Sequence, residues 1–142
     1  ACISSLDDFT EGGFREVMED ALLSDYTKVK RVLLCSGKIY YELEAARAEA
    51  QTEEVSIIRV EQLYPFPDRQ LRSLLGRYAA NLELVWVQEE PINMGAASFV
   101  RERLSDLSLQ VISRPASGVT AEGLTALHKV NQALIIEKSF TL

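Results

Sequence analysis

Residues 85–95, VWVQEEPINMG, constrain this chain more than any other stretch. Residues 84–87 are a short apolar run, β-branched and aromatic, of the kind that forms a strand buried on both faces. Gln88, Glu89 and Glu90 arrive at its carboxyl end, where Pro91 is expected to stop further ladder pairing and Asn93 to cap the helix that follows. In an open α/β sheet the crevice beyond the strand carboxyl ends is where ligands and partners dock. The polar cluster therefore marks the candidate functional edge.

The rest of the chain reads as alternating strands and helices around that centre. Residues 1–13, with acids, serines and a Gly12-Gly13 pair, read as a lead-in segment from a preceding domain, and residues 14–142 as one domain. Residues 14–18 permit a short edge strand. Residues 30–36, KRVLLCS, are a clear buried strand, and Gly37 allows a tight turn into a helix with Ile39, Leu43, Ala46 and Ala50 on its apolar face. Residues 55–60, VSIIRV, form the next strand. An extended loop follows, and Pro65 and Pro67 fix the start of a helix with Leu71, Leu74, Leu75 and Tyr78 inward. After the central strand come a helix over 94–104 with Ala97, Val100 and Leu104 inward, a strand over 109–113 and a loop to Gly118. Thr120 is expected to cap a last helix reaching Glu137, with Leu124, Leu127, Val130 and Leu134 on its buried side. Right-handed crossovers turn this order into a three-layer α/β/α sandwich on a mostly parallel sheet.

Charge and residue usage exclude several function classes. The 142 residues carry 15 basic and 21 acidic side chains, a net charge of −6, which disfavours nucleic acid and anionic membrane as partners. No apolar run approaches the roughly 18 residues that span a bilayer, and no signal-peptide layout opens the chain, so a soluble intracellular protein is expected. Cys2 and Cys35 do not make a disulfide framework, and Cys35 reads as a small buried hydrophobe. His128 is the single histidine and no CxxC or HxxxH spacing occurs, so no metal site is expected.

Each chemical motif has a plainer reading that fits better. SGKIYYE after the first strand lacks the glycines of a dinucleotide fingerprint and the spacing of a P-loop. Glu89 and Glu90 are adjacent, so they cannot both face one substrate as an acid/base pair, and they read as interface acids. Ser36 and Ser117 lack a GxSxG context, His128 reads as a helix-flank packing residue, and Tyr40-Tyr41 as a pair straddling two faces of a helix. No catalytic residue is assigned.

RVLLCSGKIYYEL, RVEQLYPFP, VWVQEEPINMG and RPASG followed by His128 and Gln132 stand in one order. Over about residues 5–140 this pattern resembles the C-terminal domain of the thiamine-diphosphate-dependent decarboxylating component of 2-oxoglutarate dehydrogenase, including its actinobacterial multifunctional relatives. The resemblance implies a transketolase C-terminal-domain fold and a noncatalytic structural and regulatory role. It implies that thiamine diphosphate, magnesium and the catalytic histidines belong to preceding domains, and that this domain binds no cofactor itself. The implied partners are those preceding domains, a second copy in a homodimer and a lipoyl acyltransferase component. The implied compartment is the bacterial cytoplasm, or the mitochondrial matrix in a eukaryote.

Some members of that family hold an acetyl-CoA or AMP effector near the subunit interface. The resemblance places its contacts at Arg31 and Arg59, with a lysine at the position of Ile92. Ile92 departs from the pattern, as do Ala97, where relatives often carry tryptophan, and Val119, Glu122, Ala126 and Asn131 in the segment after Gly118. Weak or absent effector binding is therefore expected. A free-standing acyl-CoA or nucleotide binding module using the strand-tip crevice is the alternative from another class. The matching domain of a transketolase or a branched-chain oxoacid dehydrogenase is a third, against which EQLYPFP and QEEPINMG weigh.

Overall fold

The computed structural model describes residues 6–10 and 12–142. Five strands form one sheet, β1 (Val17–Met18), β2 (Arg31–Cys35), β3 (Val55–Val60), β4 (Glu83–Pro91) and β5 (Leu109–Arg114), in the order β1-β3-β2-β4-β5. β2 to β5 run parallel, and β1 joins the edge antiparallel to β3. The helices are α1 (Asp7–Thr10), α2 (Ile39–Ala50), α3 (Asp68–Leu75), α4 (Ala97–Arg103) and α5 (Thr125–Phe140). Alternate side chains of β2 and β4 point to opposite faces, as strand geometry demands. Val32, Leu34, Leu84 and Trp86 pack with α3 and α4, whereas Leu33, Cys35, Val85 and Val87 pack with α2 and Ile135 of α5. The sandwich is thus α/β/α, as expected. Each fully buried leucine or valine contributes about 1.5–3 kcal/mol.

Within residues 6–10 lies α1, a single turn with no buried residue. Residues 1–5 and 11 of the expected lead-in segment lie outside the described residues.

Three local expectations are corrected. β4 does not stop before Pro91: a register shift between Val87 and Pro91 lets the chain bulge and pair again, with Pro91 opposite Arg114 and the Ile92 N–H donating to the Arg114 carbonyl at 3.0 Å. Proline sits there because the bulge removes the need for its missing donor. On α2 the inner stripe ends on Arg47 rather than on Ala46 and Ala50. Arg47 is buried because its guanidinium pairs with Asp20, which also accepts hydrogen bonds from the Ser56 hydroxyl at 3.1 Å and the Ile57 N–H at 3.0 Å. Asp20 thereby closes the β3 edge where the two-residue β1 has ended.

The third correction concerns α5. It begins at Thr125, with no side-chain cap from Thr120, and it buries Gln132, Ile135 and Ser139. Leu124, Leu127, Val130 and Leu134 are 44–69% exposed instead. The helix has apolar residues on two faces, and the sheet takes the one bearing Ile135, Ile136 and Phe140.

Candidate functional site

The crossover through α2 carries the chain from β2 to one side, and the crossover through α3 carries it from β3 back past β2 to the other. The carboxyl ends of β2 and β4 therefore part at a topological switch point. A cleft of about 590 Å³ opens there, lined by Gly37 and Lys38 after β2, Tyr64 after β3, Glu90 at the end of β4, and Ala96 and Phe99 at the start of α4.

Gln88 builds its floor. Its Oε1 accepts the Trp86 indole N–H and the Ala97 backbone N–H, both at 2.9 Å, and its Nε2 donates to the carbonyls of Met94 at 2.8 Å and Pro91 at 3.1 Å. Gln88 thus supplies the acceptor at the start of α4 that was expected of Asn93. Asn93 instead exchanges two hydrogen bonds of 3.0 Å with the backbone of Ser117, tying the β4–α4 loop to the loop after β5. The chain can fold back over the amide because Gly95 adopts φ +65° and has no Cβ.

The two adjacent acids have different roles. Glu89 turns to the α2/α5 face, where its Oε1 accepts from Lys38 Nζ at 2.9 Å and Gln132 Nε2 at 3.0 Å. The same two donors reach Glu42 at 2.8 and 2.9 Å, so four side chains lock α2, β4 and α5 together. Burial alone would raise the Glu42 carboxyl, but hydrogen bonds from Lys38 and Gln132 outweigh it and hold the pKa below the ordinary glutamate value. Glu90 is exposed on the cleft rim, with no ion pair among the described residues.

Arg31 and Arg59 do not converge. Arg31 lies opposite Val55 at the amino end of β2, and Arg59 lies opposite Cys35 at the carboxyl end of β3, about 13 Å apart along the strands at ~3.3 Å per residue. Arg31 is buried and spends its guanidinium on Glu83 and on the carbonyls of Lys138 and Ser139. Arg59 pairs with Glu61 at 3.0 Å and lies 4.5 Å from the Tyr40 ring centroid and 5.5 Å from that of Tyr41. Ile92 packs its side chain against the α3/α4 core.

Sequence reasoning passed over Arg114, the first residue of RPASG. Its Nε donates to the Glu89 carbonyl at 2.7 Å and its Nη2 to the Thr120 carbonyl at 2.6 Å, which fixes the bulge. The signal was a basic residue ending a strand beside the QEEP stretch. His128 is half exposed, with Nδ1 3.8 Å from Glu122 Oε2. Ser36 lines the cleft without a histidine near it in the lining, and among the described residues no three His, Cys, Asp or Glu side chains could hold a metal ion.

Comparison with known proteins extends the geometry. The family described as 2-oxoglutarate dehydrogenase C-terminal matches residues 3–140. The 2-oxoglutarate dehydrogenase E1 component of Cupriavidus necator is 40% identical over 97% of this chain and 15% of its own length. That of Azotobacter vinelandii is 35% identical over 100% of this chain and 16% of its own length. The multifunctional 2-oxoglutarate metabolism enzyme of Mycolicibacterium vanbaalenii is 39% identical over 99% of this chain and 12% of its own length. The chain therefore spans about a seventh of the length of the curated relatives it matches and corresponds to their C-terminal portion. A solved split-gene transketolase, an inactive beta4 tetramer, superposes with a TM-score of 0.58 at 16% identity, over 91% of this chain and 43% of that one, which shows the fold.

Proposed function

The chain belongs to the 2-oxoglutarate dehydrogenase C-terminal family, and on that premise we propose that it is the noncatalytic structural and regulatory domain of a larger enzyme. That enzyme decarboxylates 2-oxoglutarate with thiamine diphosphate and magnesium and passes the succinyl group to a lipoyl carrier. The observation that carries this reading is the match of almost the whole chain to 12–16% of each relative. Preceding domains of the same parent, a second copy of it and a lipoyl acyltransferase are the partners in this reading. A bacterial cytoplasm is its setting, which the bacterial relatives support. No helix among the described residues is long and apolar enough to cross a membrane.

The residues present do not fit the cofactor. Glu89 is already held by Lys38 and Gln132, and no metal-holding cluster occurs among the described residues. In this reading the cofactor belongs to the preceding domains, and this domain's surface meets them at Glu89 and Glu90. Acetyl-CoA or AMP binding at Arg31 and Arg59 is expected to be weak, since the two guanidinium groups stand at opposite strand ends and Ile92 adds no charge.

The test is turnover by the purified chain supplied with thiamine diphosphate, magnesium and 2-oxoglutarate. None is expected. Decarboxylation above the buffer rate would overturn the reading.

A further inference from the structure

The switch-point cleft has a charge balance opposite to that of a phosphate site. At its inner edge the Lys38 ammonium faces the carboxylates of Glu42 and Glu89, which take two of its three N–H donors and neutralise it. Glu90 adds a second lining carboxylate on the rim, exposed and without an ion pair among the described residues. The charged side chains lining the cleft are thus one cation and two anions, and a diphosphate brought here would face an excess of negative charge. The remaining wall is apolar: Leu63, Ala96, Phe99 and Tyr64, the last 80% exposed. The Gln88 amide is saturated by the backbone of Pro91, Met94 and Ala97 and by the Trp86 indole, so it offers little to a polar ligand. A volume of about 590 Å³ lies within the roughly 300–1,000 Å³ range of ligand clefts and leaves room for a pair of side chains.

We propose that this cleft docks a polypeptide segment presenting a lysine or arginine beside an apolar side chain, with the cation on Glu90 and the apolar group against Tyr64 and Phe99. Charge complementarity carries the choice of occupant, because Glu90 is an exposed carboxylate without an ion pair among the described residues beside an apolar wall, and a docking segment that covers it must supply a charge-assisted hydrogen bond. The inference rests on the reading above, in which this face meets the rest of the parent, and it names the chemistry of what arrives there. An acyl-CoA or nucleotide in the same cleft is the competing outcome.

Trp86, the one tryptophan of the chain, donates its indole N–H to Gln88 beneath the cleft and serves as reporter. The isotope-labelled chain is titrated with acetyl-Leu-Lys-Leu-amide, acetyl-Leu-Glu-Leu-amide or ADP while the indole N–H resonance is followed. The lysine peptide is expected to shift it saturably and to bind at least about tenfold more tightly than either anion. Glu90→Lys should reverse the preference without changing the melting temperature, since Glu90 is exposed. Equal binding of the peptides, preference for ADP, no binding, or an unaltered preference in the variant would overturn the inference. Sedimentation of the chain with the parent's preceding domains separates the two ideas. If the chain joins them while the lysine peptide is not selected, the proposed function stands and this inference falls. If the peptide is selected but the chain stays apart, the inference stands and the docking reading falls.

Discussion

A Cβ on Gly95 would stand 3.0 Å from Nε2 of Gln88 and 3.1 Å from its Oε1. The glycine and the amide therefore form one unit, in which the left-handed turn at Gly95 brings the start of α4 onto the Gln88 oxygen. Gly95→Ala should cost about 1–3 kcal/mol through backbone strain and crowding of the amide. Gln88→Leu should cost more, about 3 kcal/mol, because it strands the Trp86 and Ala97 donors and the Met94 carbonyl. Urea unfolding midpoints of the two variants check both.

The Asp20–Arg47 pair is buried, with side chains 3% and 9% exposed. Asp20→Asn leaves the arginine charge without its counter-ion, and a loss of about 3–5 kcal/mol is expected. Adding Arg47→Met to it should recover part of that loss, since two matched apolar or neutral groups avoid the stranded charge. A double-mutant cycle by chemical denaturation reads the coupling directly.

Glu42 gives the fold an acid-sensitive joint. Its folded pKa lies below the unfolded one, so its stabilising contribution is present above about pH 4.3, the ordinary glutamate value, and is lost as pH falls through the folded value. The melting temperature should therefore decline on acidification below about pH 4.3. In Glu42→Gln the decline over that window should be shallower, and stability at pH 7 lower, because the amide keeps only one acceptor for the two donors Lys38 and Gln132 and carries no charge opposite Lys38. Calorimetric scans at steps of pH measure both effects.

The sheet was legible because its strands are dense apolar runs; 55–60 coincide with β3 to the residue. Burial also treats Cys35 as its strand position implies, raising its thiol pKa to about 12. The β4 bulge was not legible, since alternation shows which side chains face a core but not where a strand carries an extra residue. The α5 stripe failed for a different reason. Periodicity offers Leu127, Val130 and Leu134 or Ile135, Ile136 and Phe140, and only the partner elements choose between them. The separation of Arg31 from Arg59 could have been foreseen, because parallel strands put the start of one and the end of the next at opposite edges of the sheet.

The most direct measurement uses the parent enzyme with this domain removed and the domain supplied as a separate chain. Sedimentation and 2-oxoglutarate decarboxylation are followed together as the chain is added. The account expects the truncated parent to be impaired in assembly and turnover, the added chain to co-sediment with it, and turnover to return only in the mixture. A truncated parent that assembles and turns over at the full rate without the domain, while the added chain sediments alone, would contradict it.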